Sequence, residues 1–178
     1  MGADPQPALS RSDLNRVGPA SVAVASLVAT AVVATVAACN IHEIGHAVVA
    51  TMLGWEVDRI ELCLPTGGSV VYSHVGSWTG NLQGYAGGFI AAIVLLVAYL
   101  FIFARRAMPL AGVGWWFAGL GLVLPIGPQV AIGALEGAVG PGEDYTQKYG
   151  GLIPLLVVVG YITAAVVYSW RWRAVWRR

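Results

Sequence analysis

Charge is what this chain has least of. Only 11% of its 178 residues are Asp, Glu, Lys or Arg, about half the share of an ordinary soluble domain. No charged residue lies between Arg16 and Glu43, between Glu61 and Arg105, between Arg106 and Glu136, or between Lys148 and Arg171. Four runs of that kind exclude a water-soluble bundle, whose helices need a polar face. Each run is long enough to cross a hydrocarbon layer, which takes about 20 apolar residues. The first is too long for the apolar core of a cleavable leader and reads as a span. Net charge is only +1, which gives no reason to expect a nucleic-acid partner. Two cysteines are too few for a disulfide framework, and Cys39, inside a span, reads as a small buried thiol. The chain also lacks any internal repeat.

What remains is the pattern of an all-α integral membrane protein, with about four transmembrane helices and a small β-hairpin between the first two. Residues 1–16 read as a polar tail. The spans fall at about 19–53, 82–104, 109–135 and 151–170 within one membrane-embedded domain, 17–170, and 171–178 form a basic tail. Gly18-Pro19 suggests a helix start. The third span holds Pro125 and Pro128 and should break near LPIGP. Between the first two spans, Ile60, Leu62 and Leu64 alternate with Arg59, Glu61 and Cys63. A Pro65–Gly68 turn and the Val/Tyr-rich stretch 69–73 follow, so the spacing predicts a hairpin over about 57–74. Trp115, Trp116 and the tryptophans of the C-terminal segment read as interfacial anchors.

Basic residues are unevenly shared between loops. Arg11, Arg16, Arg105, Arg106, Arg171, Arg173, Arg177 and Arg178 would fall on one side, and Arg59 and Lys148 on the other. That bias predicts cytoplasmic termini. It also places the far end of the first span, the hairpin and the loop before the fourth span together on the opposite side.

That far end carries His42-Glu43-Ile44-Gly45-His46. Histidines four apart on a helix project from one face and can share a metal ion, and Glu43 beside the first reaches a water rather than the metal. Zinc held by two histidines and one further protein ligand leaves a position for water and lowers that water's pKa to near 7. Ionisable groups inside a span are costly and are functional or paired by default. The alternative is a hydrogen-bonded structural cluster. From the residues alone the third ligand stays open among Asp144, Glu136, Glu143 and His74.

The stretch IHEIGHAVVATMLGWEVDRIEL, with TGGSV after it and QGYAGGFIAAIVLL beyond, resembles the M50 family of intramembrane metalloproteases, the site-2 protease clan, and especially its short M50B-like bacterial members. The resemblance implies a zinc site in a helical bundle with His42 and His46 as ligands and Glu43 as catalytic base. Its Leu-Asp-Gly, whose aspartate supplies the third ligand, is not present as such, and Asp144 in GPGEDYTQ is the nearest match. The function implied is hydrolysis of peptide bonds in membrane-associated polypeptides by a zinc enzyme of a bacterial plasma membrane. A non-proteolytic zinc-binding or scaffolding descendant is the alternative. An ion transporter built on the polar cluster is a third.

Overall fold

The computed structural model describes residues 11–63, 67–75, 80–104, 112–139 and 144–176. Helix α1, Arg11–Met52, is continuous and begins inside the stretch read as a tail. RSDLNRV contains no helix breaker, and Pro19 removes only one backbone bond, so the turns ahead of it still form. The apolar part, Ala20–Met52, is 33 residues, or on the order of 50 Å. Val22, Val24, Val28, Val32 and Val33 are all exposed. Apolar stripes of that size are not left to water and mark the face turned to lipid.

Gly54 stops the helix, with φ 79°. Its N–H bonds Thr51 O at 3.0 Å, and the Trp55 N–H reaches back to Ala50 O at 2.9 Å, the left-handed cap that glycine permits. Trp55 is buried there, and the chain turns into strands β1, Glu56–Glu61, and β2, Ser69–His74. They pair antiparallel, Ile60 opposite Val70 and Glu61 opposite Ser69, with an irregularity around Val57–Arg59. The hairpin lies where the sequence predicts it, but its inner side differs. Ile60 and Leu62 are exposed and Cys63 is buried. The cause is covalent: Cys63 is disulfide-bonded to Cys39 of α1, which turns the end of the strand onto the helix. Cys39 is therefore not the free thiol expected of it.

Helix α2, Gly80–Tyr99, runs on through one π-helical turn, Leu100–Ala104. The third crossing is divided into α3, Gly112–Val123, and α4, Ile126–Gly137, with Pro125 at the N-cap of α4, as the prolines predict. A short α5, Tyr145–Tyr149, precedes α6, Ile153–Trp176, so most of the segment read as a basic tail is helical. Among the described residues four helices are long and apolar enough to cross a membrane, Ala20–Met52, Asn81–Phe103, Gly114–Gly137 and Ile153–Trp170. The protein is an all-α integral membrane protein with one two-stranded sheet.

α1 packs on α2 and α3, and α4 packs on α2 and α6. The α2–α4 contact is backbone on backbone. A Cβ on Gly88 would lie 2.6 Å from Gly133 Cα and closer still to Gln129 O, and small residues are what let spans approach so closely. At the other end of α2, Tyr99, Phe103 and Tyr168 form an aromatic cluster with Trp115 and Trp116 packed against it. The Tyr168 hydroxyl donates to Trp116 O at 2.8 Å. Both tryptophans are half-buried against this cluster.

Candidate metal centre

His42 and His46 project from one face of α1 and are both buried. Glu136, in the last turn of α4, reaches them from across the bundle. His42 Nε2 lies 3.0 Å from Glu136 Oε2, His46 Nε2 lies 3.3 Å from the same oxygen, and the two Nε2 atoms are 2.9 Å apart. Among the described residues these are the three whose ligand atoms converge in a group able to hold a metal ion.

The hydrogen bonds around the imidazoles fix what those atoms offer. His42 Nδ1 donates to Gln129 Oε1 at 2.8 Å, and His46 Nδ1 donates to the Gln83 carbonyl at 2.8 Å. With both Nδ1 atoms protonated, the neutral rings turn two Nε2 lone pairs toward each other and toward a carboxylate oxygen that has no conventional hydrogen-bond partner. Three electron-rich atoms in such proximity repel unless a positive charge lies among them. Two imidazoles and one carboxylate form a recurrent three-ligand set of catalytic zinc, and ligands about 2.0–2.1 Å from a tetrahedral zinc lie roughly 3.3 Å apart. The donor set fits zinc. The bonds to Gln129 and Gln83 are the outer contacts that orient ligating histidines.

Gly87 makes the room. A Cβ there would come within 2.7 Å of His42 Cδ2 and closer to His46 Nε2, so both rings approach the α2 backbone at a position that carries no side chain. Gly45 seats α1 on the same stretch, 3.2 Å from Ala86 O and Gly87 Cα for an added Cβ. The small-residue run YAGGF thus lies directly against the two imidazoles. Glu43 is half-buried beside the group, and its carboxylate feels both imidazoles and Glu136, yet it is not one of the three converging residues.

Asp144, expected as the third ligand, is elsewhere. It caps α5, accepting from the Thr146 N–H at 2.8 Å and the Thr146 hydroxyl at 2.6 Å. Those bonds hold its carboxyl below the usual range, and the residue is exposed. His74 is exposed at the end of β2, and Glu143 lies outside the described residues. Glu136, one of the alternatives, occupies the position. A signal for it was present: Leu135-Glu136-Gly137 is Leu-Asp-Gly with one methylene more. Gln129 had no place in the sequence argument, although it and Glu136 are the strongly polar side chains of the third crossing, and polar groups at that depth mark functional sites.

Two tyrosines face the centre from outside the spans. Tyr145 of α5 is half-buried near the Glu136 carboxylate. Burial and that carboxylate push its phenol up to about 12. Tyr72 of β2 accepts a hydrogen bond from the Gln83 side-chain amide and packs edge-on against Trp55 at 5.3 Å between ring centres. Burial, with Glu43 and Glu136 nearby, also pushes it up to about 12. Both therefore stay protonated donors at neutral pH.

A family model for M50B-like peptidases matches residues 19–132, close to two thirds of the chain. This protein is an M50B-like peptidase family member. The match covers His42, Glu43, His46, Gly87 and Gln129 and stops short of Glu136. No curated protein and no solved structure matches the chain. The matched residues thus include both histidines of the converging group.

Proposed function

We propose that this protein is an intramembrane zinc endopeptidase acting on membrane-associated polypeptides, with His42, His46 and Glu136 as metal ligands and Glu43 as general base. The observation that carries the reading is the meeting of two Nε2 lone pairs and an orphaned carboxylate oxygen next to a second, separate carboxylate, Glu43. Zinc held there supplies Lewis acidity, lowering the pKa of water and polarising a carbonyl. Glu43 takes the proton as the water oxygen bonds to the peptide carbon and delivers it to the amine nitrogen as the C–N bond breaks. Gln129 and the Gln83 carbonyl keep the imidazoles in the ligating tautomer, and Tyr145 lies near Glu136. The charge bias supports cytoplasmic termini and a centre opening on the other side.

A groove of about 490 Å³ runs between α1 and β1, lined by Ile44, Val48, Thr51, Val57 and Ile60. It begins at the residue after Glu43 and flanks a strand of a sheet with only two members, so an extended polypeptide could add along it by backbone pairing. Val48→Trp, which fills the groove without touching the metal side chains, should raise KM severalfold and leave zinc in place. An unchanged KM would remove the groove from the substrate path.

The protease reading is tested by metal removal. The purified chain should cleave fluorescein-labelled casein in detergent, lose that activity to 1,10-phenanthroline and regain it with about one equivalent of zinc. A chain that binds zinc yet cleaves neither casein nor a reconstituted membrane-spanning peptide would instead be a non-proteolytic zinc protein.

A further inference from the structure

We infer that the Cys39–Cys63 disulfide is a positioning element for Glu43: it pins the hairpin turn onto α1 so that Gly68 packs against the Glu43 side chain and holds the base in place. This rests on the zinc-protease reading of the site. Three contacts converge on it. Cys39 and Glu43 are four residues apart on α1 and so share a face. Cys63, tied to Cys39, also donates its backbone N–H to Asn40 Oδ1 at 3.0 Å. From the other side of the turn, Gly68 lies so close that a Cβ there would come within 2.7 Å of Cys63 Sγ and of Glu43 Cδ, and closer to Glu43 Cγ. The sequence of contacts is therefore disulfide, Cys63, Gly68, Glu43.

Among the described residues little else ties this end of the hairpin to the helices. A two-stranded hairpin is marginal on its own. The Arg59–Glu61 pair and the Ser69–Glu61 bond are exposed and worth little. The Trp55–Tyr72 contact fastens the opposite end, beside the α1 terminus. The metal ligands do not depend on the turn, since their orienting partners come from α2 and α4. Breaking the disulfide should therefore loosen the base while sparing the metal. Misplacing a reacting group by about 1 Å costs on the order of a hundredfold in rate. Disulfides persist on the oxidising side of a membrane, the side to which the loop charges assign this end of α1, so the base is fully positioned only where the protein meets an oxidising compartment.

The test uses the purified, zinc-loaded full chain with fluorescein-labelled casein. Tris(2-carboxyethyl)phosphine reduces the S–S bond to two thiols and is itself converted to the phosphine oxide. The untreated chain should show no thiol to maleimide and the reduced chain two. With zinc still near one per chain, kcat should fall ten- to a hundredfold at unchanged KM, and oxidised glutathione should restore it. Cys39→Ser/Cys63→Ser should behave like the reduced chain and resist that rescue. Gly68→Ala should lose kcat to a similar extent with the disulfide intact, which a purely structural tie would not produce. Free thiols in the untreated chain, a kcat indifferent to reduction, or zinc leaving together with the disulfide would each overturn the inference while the protease reading stands. A zinc-loaded wild type without cleavage would remove the protease reading, and the role given to Glu43 with it.

Discussion

Glu43→Gln should leave zinc content at about one per chain and lower peptide hydrolysis by about 10²–10⁴, the range that a positioned general base contributes. Glutamine keeps the length and packing of the side chain, including its contact with Gly68, but cannot take a proton from water. Because Glu43 stands apart from the three converging ligand atoms, its loss should not cost the metal. The check is a paired one, zinc by mass spectrometry and kcat on casein from the same preparation. Retained hydrolysis would remove Glu43 from the chemistry. Loss of zinc in parallel would make it a ligand and require the three-residue site to be redrawn.

Gly87→Ala should abolish tight zinc binding through one methyl group. The Cβ would collide with both imidazoles, so the rings have to move. Loss of a single outer partner of a ligating histidine costs about 10- to 100-fold in metal affinity. Displacing two ligands should cost at least about a hundredfold. Overpacking destabilises by about 1–3 kcal/mol, which leaves the bundle folded by circular dichroism. Gly151→Ala is the control, since a Cβ there meets nothing within 4 Å, and it should bind zinc like the wild type. Equal zinc affinity in the two variants would contradict the placement of the rings against α2.

The spans, the broken third crossing and the hairpin were legible because each rests on local pattern: uncharged runs, Pro125 and Pro128, and the alternation after Gly54. The two histidines and Glu43 were legible because helical periodicity puts them together within a single turn. The residue that joins them was legible only as one of four candidates, because which carboxylate meets α1 depends on how α4 packs across α2. Gly88 and Gly133 decide that contact, and sequence spacing carries no trace of it. Asp144 sits in a loop that looks suitable, but it is spent on capping α5. The disulfide was missed for a related reason. Cys39 and Cys63 lie on different elements, and only the turn of the chain after Glu61 brings them together.

The claim on which the rest depends is that His42, His46 and Glu136 hold one zinc ion. The most direct measurement is zinc per chain in freshly purified wild type beside Glu136→Ala and Asp144→Ala. The structure predicts about one zinc in the wild type and in Asp144→Ala, and little or none in Glu136→Ala. Zinc kept by Glu136→Ala and lost by Asp144→Ala, or a wild type that binds none when zinc is supplied, would contradict it.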